Sequence, residues 1–518
     1  MRKVIALCLA LLTLSPLALL AQGDRMLRGG CTPNIETDEA ALARGVRPMR
    51  LPSINNNWDP NRIYRQLVVL VSYSDTDFST EDPKQRYNDM FNTPGFHQRS
   101  GVGCVAEYFQ AQSNGILNLQ FDVFGPYKVS TKAQPYTNPT SSVRNYQSEA
   151  MKEATRLMLQ EQADMDFSPY DWNGNGSVNQ VIYIHAGYTG NSSGTYGYIW
   201  PSTSSFSSIT TPDNLTISNY TASAELWPNK SSCGIGTIIH EFSHSLGLPD
   251  IYPTNSNAGY SVVDEWDMMD GGNFTNYGWC PPNYTPTEKM LMGWLEPIEL
   301  TEPATITDMK PSAEGGPVYL IRHSSSEWLL LENRQQKGWD FGIPGKGLVI
   351  YHVNYDKSVW SGNTVNNSPN KRRFELVHAD NLDYDAWDNL IVNTSSWANS
   401  GRLNNKHLST SPYPWSTDST VFVNDALTDS SVPAAKMNYP NLEGSYMLSK
   451  PITNIRMDDD GLISFDFLGG TTAIRDIRNA QQRTTAVYDL NGRRINSFTR
   501  PRICLIRRED GTMQKVFK

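Results

Sequence analysis

Hydrophobic positions in the first half of the chain alternate between strand and helix patterns. The segment from Gln66 to Tyr73 contains five consecutive apolar residues, Leu67–Val71, and such a run is typical of a strand buried on both faces. Further strand patterns and helix patterns follow it in turn. Strands are predicted at residues 117–123 and 181–184, and helices at residues 105–112 and 146–163. This alternation predicts an α/β (α+β) fold with a mixed sheet.

The pattern changes after about residue 300, where short apolar runs recur between turn residues. These runs predict a β-rich region, which a polar stretch at about 380–450, dense in Asn, Ser, Pro and Asp, interrupts. After Gly469-Gly470, a short basic tail contains two more strand-like segments. The predicted strands of this half are Val318–Ile321, Trp328–Leu331, Leu348–Val353, Phe374–Val377, Ile463–Phe467, Thr484–Asp489 and Ile503–Arg507.

The N-terminus has the pattern of a secretory signal peptide over residues 1–21. Arg2 and Lys3 precede an apolar stretch that ends at the small residue Ala21. A membrane anchor is the alternative, but the Ser15-Pro16 break disfavours it. Residues 22–62 are polar and irregular, and we interpret them as a leader or pro-segment. No later segment approaches the length of about 18 apolar residues that a spanning helix needs, so we expect no transmembrane span in the mature chain.

Composition narrows the functional classes. The 518-residue chain carries a formal net charge of -9 and has a sequence pI of about 5.5, which argues against nucleic acid as a partner, because phosphate binding needs clustered Lys and Arg. Of six cysteines, Cys8 lies in the signal peptide and the other five are widely spaced. This is not a disulfide framework, although Cys233 and Cys280 could form a bridge.

The central motif runs from His240 to Asp250, with the sequence HEFSHSLGLPD. Two histidines four positions apart on a helix lie on one face, so His240 and His244 can reach one metal ion. Glu241 can contact a metal-bound water without ligating the metal, as a general base does. Gly247 can end the helix and turn the chain, which makes Asp250 the expected third ligand of a catalytic zinc site. The alternative is a set of histidines with a purely structural role.

A second motif, DMMDGG at residues 267–272, follows the first. A methionine on a tight turn beneath the zinc ligands is the metzincin signature. We predict that Met269 forms this Met-turn floor, with Met268 as the alternative. Ordinary core packing would also explain two adjacent methionines.

At these residues the sequence resembles the immune inhibitor A family of zinc metallopeptidases, a metzincin-like group. That family pairs H-E-x-x-H-x-x-G-x-P-D with a downstream W-D-x-M turn, here Trp266–Met269. The resemblance implies a secreted endopeptidase with an active-site helix and with zinc bound by His240, His244 and Asp250. Many metzincins use a third histidine, so the aspartate at position 250 leaves pH optimum and metal preference open.

The resemblance covers about residues 63–468. We therefore expect a catalytic domain at 63–300 and a β-rich region at 301–468 that continues the family match. The supporting segments are Val105–Phe109, Ser113–Gly115, Glu332–Arg334, Gly338–Asp340, Pro344–Val353 and His378–Asp380.

The tail, residues 469–518, resembles the C-terminal sorting domain of the type nine secretion system. The matching segments are Val487–Arg494, Ile503–Arg507, Asp510-Gly511 and Lys515–Lys518. This resemblance implies a small β-sandwich-like domain that directs export to the cell surface or medium through outer-membrane secretion machinery. An ordinary terminal hairpin module is the alternative.

A candidate calcium loop lies between residues 171 and 179. Oxygen-bearing side chains at alternate positions, followed by glycine at position six, are typical of such loops, but Ile182 stands where the usual bidentate acid belongs. An Asn-Gly turn is the alternative. The candidate ligands are Asp171, Asn173, Asn175, Ser177 and Asn179.

These features predict a zinc endopeptidase whose substrates are extracellular proteins or peptides, with Ca²⁺ as a second candidate ion. Two other hypotheses stay open: an inactive adhesin on a peptidase scaffold, and hydrolysis of a non-peptide bond. Cys31 in the leader is a candidate for the open zinc position, or an unpaired cysteine without that role. His185, after a buried strand, is interpreted as structural.

Overall fold

A computed structural model describes most of the chain from Trp58 onward. The predicted signal peptide, Cys31 and nearly all of the predicted leader lie outside the described residues. Within the described part, no helix has the length and apolar character needed to cross a membrane. The described ranges are 58–134, 142–190, 198–255, 261–383, 408–416, 423–471, 484–488, 503–508 and 513–517.

Six α-helices lie in the described part of the chain, and local side-chain caps begin several of them. Asp82 accepts the Gln85 N–H at 2.9 Å ahead of α1, and Glu107 accepts the Cys104 N–H at 3.0 Å at the start of α2. The α-helices are α1 (Pro83–Asn92), α2 (Val105–Gln112), α3 (Ser142–Glu161), α4 (Gly236–Ser245), α5 (Pro286–Leu291) and α6 (Lys357–Ser361). Short 3₁₀ helices span Ser168–Tyr170, Asp264–Trp266, Gly272–Gly278, Ser312–Glu314 and Gly338–Gly342.

The first sheet has five strands in the order β2-β1-β3-β5-β4. Four strands are parallel and the edge strand β4 is antiparallel to β5. The central strand β1 is almost completely buried, in agreement with its continuous apolar sequence. The strands are β1 (Ile63–Ser72), β2 (Asn118–Lys128), β3 (Val181–Tyr188), β4 (Ser202–Thr210) and β5 (Thr216–Leu226).

A second five-stranded sheet, ordered β11-β10-β9-β8-β6, follows in the sequence and is antiparallel except for the β6–β8 pair. Three smaller antiparallel sheets, β12-β13, β14-β15-β7 and β16-β17-β18, complete the described strands. The strands are β6 (Ile298–Glu299), β7 (Ala304–Met309), β8 (Tyr319–Arg322), β9 (Glu327–Arg334), β10 (Gly347–Asn354), β11 (Phe374–Leu376), β12 (Trp415–Ser416), β13 (Val423–Asn424), β14 (Ile452–Met457), β15 (Ile463–Phe467), β16 (Thr484–Tyr488), β17 (Ile503–Arg508) and β18 (Met513–Phe517).

One hydrophobic cluster connects the two large sheets. It contains Phe242 on α4 together with Leu330 on β9 and Tyr351 on β10, all fully buried. The helix that carries the central motif is therefore packed within the same core as the β-rich segment. Residues beyond 300 can therefore contact the motif and position its side chains.

The structure confirms the mixed α/β prediction and most of the predicted elements. The clearest omission is the β4–β5 pair, which the sequence analysis did not place. β4 has a polar sequence, STSSFSSIT, and most of its side chains are at least partly exposed, so a hydrophobic pattern could not reveal it. Cys233 is a free buried thiol, so the suggested bridge from Cys233 to Cys280 is not formed.

Candidate metal centre

Helix α4 carries the first two predicted ligands and is buried along its whole length up to His244. Its apolar side is fixed by Phe242, whose ring packs edge-on against Phe109 at 5.3 Å and Trp172 at 6.3 Å. Gly236 begins the helix where a Cβ atom would lie 2.0 Å from the carbonyl oxygen of Asn273. Only glycine permits this close approach, so the start of α4 packs directly against the backbone at Asn273.

His240, His244 and Asp250 converge at one point. Asp250 Oδ1 lies 3.2 Å from Nε2 of His240 and 3.2 Å from Nε2 of His244. One ligand atom from each of the three residues lies within 4.8 Å of the others, and all three side chains are buried. Among the described residues, this is the one group of three or more His, Cys, Asp or Glu side chains with such spacing.

Backbone carbonyl groups hold both imidazole rings. His240 Nδ1–H donates to Met268 O at 3.0 Å, and His244 Nδ1–H donates to Leu248 O at 2.8 Å. These bonds leave both Nε2 atoms directed at Asp250, as expected of histidines that ligate a metal through Nε2. Gly247, with φ of 103°, turns the chain after α4, and this turn brings the Leu248 carbonyl back to His244.

The carboxylate and the imidazoles are electrostatically matched. Burial alone would lower the pKa of His244, but the neighbouring Asp250 raises this pKa to about 9. Burial acts to raise the pKa of Asp250, whereas His244 and hydrogen bonds from both histidines hold this pKa well below its ordinary range. Asp250 is therefore ionised at ordinary pH, which is the form that ligates a metal.

Glu241, the predicted general base, lies next to the first ligand on α4 and is 1% exposed. Thr203 on the edge strand β4 donates its hydroxyl to the Glu241 carbonyl at 2.5 Å, and the same hydroxyl lies 3.3 Å from Glu241 Oε2. Thr221 on β5 donates to the same carbonyl at 3.4 Å. The sequence analysis named neither threonine, because both belong to the β4–β5 pair that it did not place.

The predicted Met-turn lies against the ligands through its backbone. Met268 and Met269 are both fully buried. The Met268 carbonyl accepts from His240, and the Met269 carbonyl accepts from the Ile251 N–H at 2.9 Å, directly after the third ligand. Asp267 fixes this turn by accepting the Met269 N–H at 2.6 Å.

Asn363 is a contact of the site that sequence reasoning missed. Its side-chain amide bonds the Asp250 N–H at 2.6 Å and Asp250 Oδ2 at 2.8 Å. Tyr252 also contacts the site, with its ring stacked on His240 at 6.3 Å. Asn363 lies 113 residues after Asp250, and no local spacing connects the two.

The candidate calcium loop uses its side-chain oxygens within the loop. Asp171 accepts the N–H groups of Asn175 at 3.1 Å and Gly176 at 2.7 Å, and Asn179 accepts the N–H of Trp172 at 2.7 Å. Asn175 accepts the N–H of Ser177 in the same way. Asn173 lies in the turn between Asp171 and Asn175. These contacts support the Asn-Gly turn and give no support to calcium.

His185 is fully buried, and burial lowers its pKa to about 4, in agreement with a structural role.

The donor set fits zinc. Two imidazole nitrogens and one carboxylate oxygen are the ligand types of catalytic zinc sites, and each imidazole has the backbone acceptor that such ligands usually have. Asp250 contributes an ionised oxygen on the side facing both rings. His240, His244 and Asp250 would therefore hold the ion.

Comparison with known proteins agrees with this chemistry. Residues 54–290 match the sequence profile of the family described as "Immune inhibitor A peptidase M6, catalytic domain". The chain is 24% identical over 268 residues to "Immune inhibitor A" of Bacillus thuringiensis subsp. alesti, covering 43% of this chain and 38% of the relative. It is 22% identical over 242 residues to "Pre-pro-metalloprotease PrtV" of Vibrio cholerae serotype O1 strain M66-2, covering 42% of this chain and 26% of the relative.

The chain thus spans well under half the length of these curated relatives. The family match ends at residue 290, so its continuation to residue 468 stays a prediction. The matched segment contains the whole motif from His240 to Asp250 and the predicted Met-turn at Trp266–Met269. These similarities support a metallopeptidase function, and residues 54–290 are the segment similar to the catalytic domain of immune inhibitor A peptidases.

Proposed function

We propose that this chain is a secreted zinc-dependent endopeptidase that hydrolyses peptide bonds of extracellular proteins. The observation that carries the proposal is the convergence of His240, His244 and Asp250, with Glu241 next to His240 on α4. Bound zinc would supply Lewis acidity and lower the pKa of a coordinated water. A structural role for the histidines would not require two Nε2 atoms directed at one carboxylate oxygen.

The residues around the ligands divide the remaining tasks. Glu241 takes the proton of the attacking water and returns it to the leaving amine, because its carboxylate can reach the water without occupying the metal. Thr203 holds the backbone of Glu241 from the side of β4. β4 is an edge strand of the first sheet and pairs with β5 on one side, so an extended peptide substrate could lie along its other side.

We also propose that residues 1–21 and 469–518 direct secretion to the cell surface or medium. The described parts of the tail form a three-stranded antiparallel sheet, β16-β17-β18, which is compatible with a small β-domain. Its basic strand residues and its resemblance to sorting domains support a role with outer-membrane secretion machinery as partner. Removal of 469–518 should retain the protein inside the cell, whereas normal release of the truncated chain would refute this route.

The peptidase proposal is tested with the full chain and its Glu241→Gln variant. Zinc content is measured, and cleavage of casein and gelatin is followed with and without a chelator, before and after limited trypsin treatment to remove the leader. We expect about one zinc per chain in both proteins and a loss of cleavage of about 10²- to 10⁴-fold in the variant.

Glu302→Gln is the matched control, because Glu302 is exposed and lies outside the motif. It should cleave both substrates at the wild-type rate. Zinc binding without cleavage of either protein by the trypsin-treated wild type would refute an endopeptidase acting on such substrates. Equal cleavage by wild type and Glu241→Gln would refute the role of Glu241.

A further inference from the structure

The loop that follows α6 binds the segment that carries the third predicted ligand. Two asparagines of this loop make paired contacts with it: Asn363 with Asp250, and Asn367 with Thr254. Both pairs use the asparagine amide as donor and acceptor at once. Only the first pair involves a side chain of the candidate metal centre, which makes the second pair a natural internal control.

Asn363 contacts Asp250 at two atoms. Its Oδ1 accepts the Asp250 backbone N–H at 2.6 Å, and its Nδ2 donates to Asp250 Oδ2 at 2.8 Å. One planar amide thereby fixes both the backbone and the carboxylate of the same residue. Because Oδ2 is held by this donor, the other oxygen, Oδ1, is the one directed at the two histidine Nε2 atoms, each 3.2 Å away.

The loop conformation accounts for asparagine at this position. Asn363 has φ of 56°, in the left-handed region that Asn tolerates better than most residues. Asn363 is 8% exposed, so both of its side-chain hydrogen bonds are shielded from water and are stronger than they would be in solvent. The Asn363 carbonyl also accepts from Thr254 Oγ1 at 2.8 Å, which keeps the loop against the ligand segment.

We propose that Asn363 is a positioning residue that presents Asp250 to zinc through Oδ1 and keeps Oδ2 from ligating. This inference rests on the proposed function, since it assumes that the centre binds zinc. It adds a residue of the β-rich segment, beyond the family match at 54–290, to the metal centre. Hydrogen-bonding partners of metal ligands orient the ligand and set its basicity, and their loss typically costs 10- to 100-fold in metal affinity.

The test compares the full-length wild type with Asn363→Gly and Asn367→Ala. Glycine suits the left-handed backbone at 363, so the change removes the amide without straining the loop. Three quantities are measured: zinc affinity by competition with a chelator, the visible absorption of the cobalt-loaded protein, and the melting temperature of the metal-free protein. We expect a 10- to 100-fold loss of zinc affinity and an altered cobalt spectrum for Asn363→Gly, against a change of less than about twofold for Asn367→Ala.

A second variant, Asn363→Asp, keeps the side-chain length and the acceptor for the Asp250 N–H but replaces the donor to Oδ2 by an oxygen. It places a second buried carboxyl group against Asp250, so the metal-free protein should be less stable than the wild type. The cobalt spectrum should still be altered, because a like charge cannot hold the carboxylate of Asp250. A wild-type spectrum in both Asn363 variants would overturn the inference. So would an equal loss of zinc affinity in Asn367→Ala, which would indicate loop docking as the cause.

Failure of the proposed function gives a different result from failure of this inference. If the wild type itself binds no zinc, the metal centre is refuted and the role of Asn363 falls with it. If the wild type binds zinc and cleaves protein while the Asn363 variants match it in zinc affinity and cobalt spectrum, only the positioning role is refuted.

Discussion

Arg334 on β9 holds Trp266, the residue that begins the W-D-x-M turn, in two ways. Its Nη1 donates to the Trp266 carbonyl at 2.9 Å, and its guanidinium lies 5.9 Å from the centre of the Trp266 ring. Asp340 neutralises the charge through a paired contact with Arg334, and all three residues are buried. Arg334 of the β-rich region thus fixes the start of the turn that contains Met268. The Met268 carbonyl accepts the hydrogen bond from His240.

Arg334→Met should strongly destabilise the protein. The substitution removes a fully buried cation and leaves Asp340 without its charge partner, which typically costs about 3–5 kcal/mol. The free energy of unfolding is measured by denaturant titration. The control is Arg322→Met, because Arg322 pairs with Glu299 at the surface and should cost less than about 1 kcal/mol. Similar losses in the two variants would contradict the importance of burial here.

His352 should make stability depend on pH. Burial would lower its pKa, but hydrogen bonds with Glu327 at 2.7 Å and Glu375 at 2.9 Å raise this pKa to about 9. A pKa raised in the folded state means that the stabilisation is fully present below about pH 6.5, the unfolded value, and is lost as pH rises through about 9.

The measurement for His352 is the unfolding free energy of His352→Gln and wild type at pH 6 and pH 10. The difference between the proteins should be larger at pH 6, by on the order of 3 kcal/mol. His323→Gln is the control, since the His323 ring contacts the Tyr439 carbonyl instead of a carboxylate. A difference between wild type and His352→Gln that does not change with pH would argue against the charged pair.

Thr203→Val should reduce turnover while leaving zinc binding intact. The hydroxyl holds the carbonyl of Glu241 and lies near its carboxylate, but it contacts none of the three metal ligands in the described contacts. Loss of one such hydrogen bond, worth about 1 kcal/mol, predicts a fall in kcat of about fivefold. Ser204→Ala is the control, because Ser204 on the same strand is exposed. Weakened zinc binding in Thr203→Val would contradict a role limited to Glu241.

Gly236→Ala should destabilise the helix that carries the motif. The new Cβ atom would lie 2.0 Å from the Asn273 carbonyl oxygen, and a backbone group cannot move aside as a flexible side chain can. Overpacking of this kind costs about 1–3 kcal/mol or more, measured by thermal unfolding. At Gly174 no atom lies within 4 Å of an added Cβ, so Gly174→Ala should cost only the roughly 1–2 kcal/mol of its left-handed backbone.

Strong local patterns made much of the fold predictable. The apolar run at Leu67–Val71 and the spacing within residues 105–112 have one structural interpretation each, and β1 and α2 are found there. Strand β4 could not be found in this way, because its polar sequence shows no alternation of apolar and polar residues. Its hydrogen bonds to β5 hold it in the strand conformation. The loop at Asp171 gave two interpretations, and hydrogen bonds from the backbone N–H groups of Asn175 and Gly176 to the Asp171 carboxylate favour the turn.

The sequence by itself determined which side chains form the candidate centre. Two histidines four apart meet on one helix face whatever surrounds the helix, and Gly247 brings the chain back so that Asp250 follows at short range. Only the tertiary structure decided how these ligands are held. Asn363, Met268 and Thr203 reach the site from other elements. Their hydrogen bonds to the site depend on the packing of two sheets around α4, and no periodicity in the sequence predicts that packing.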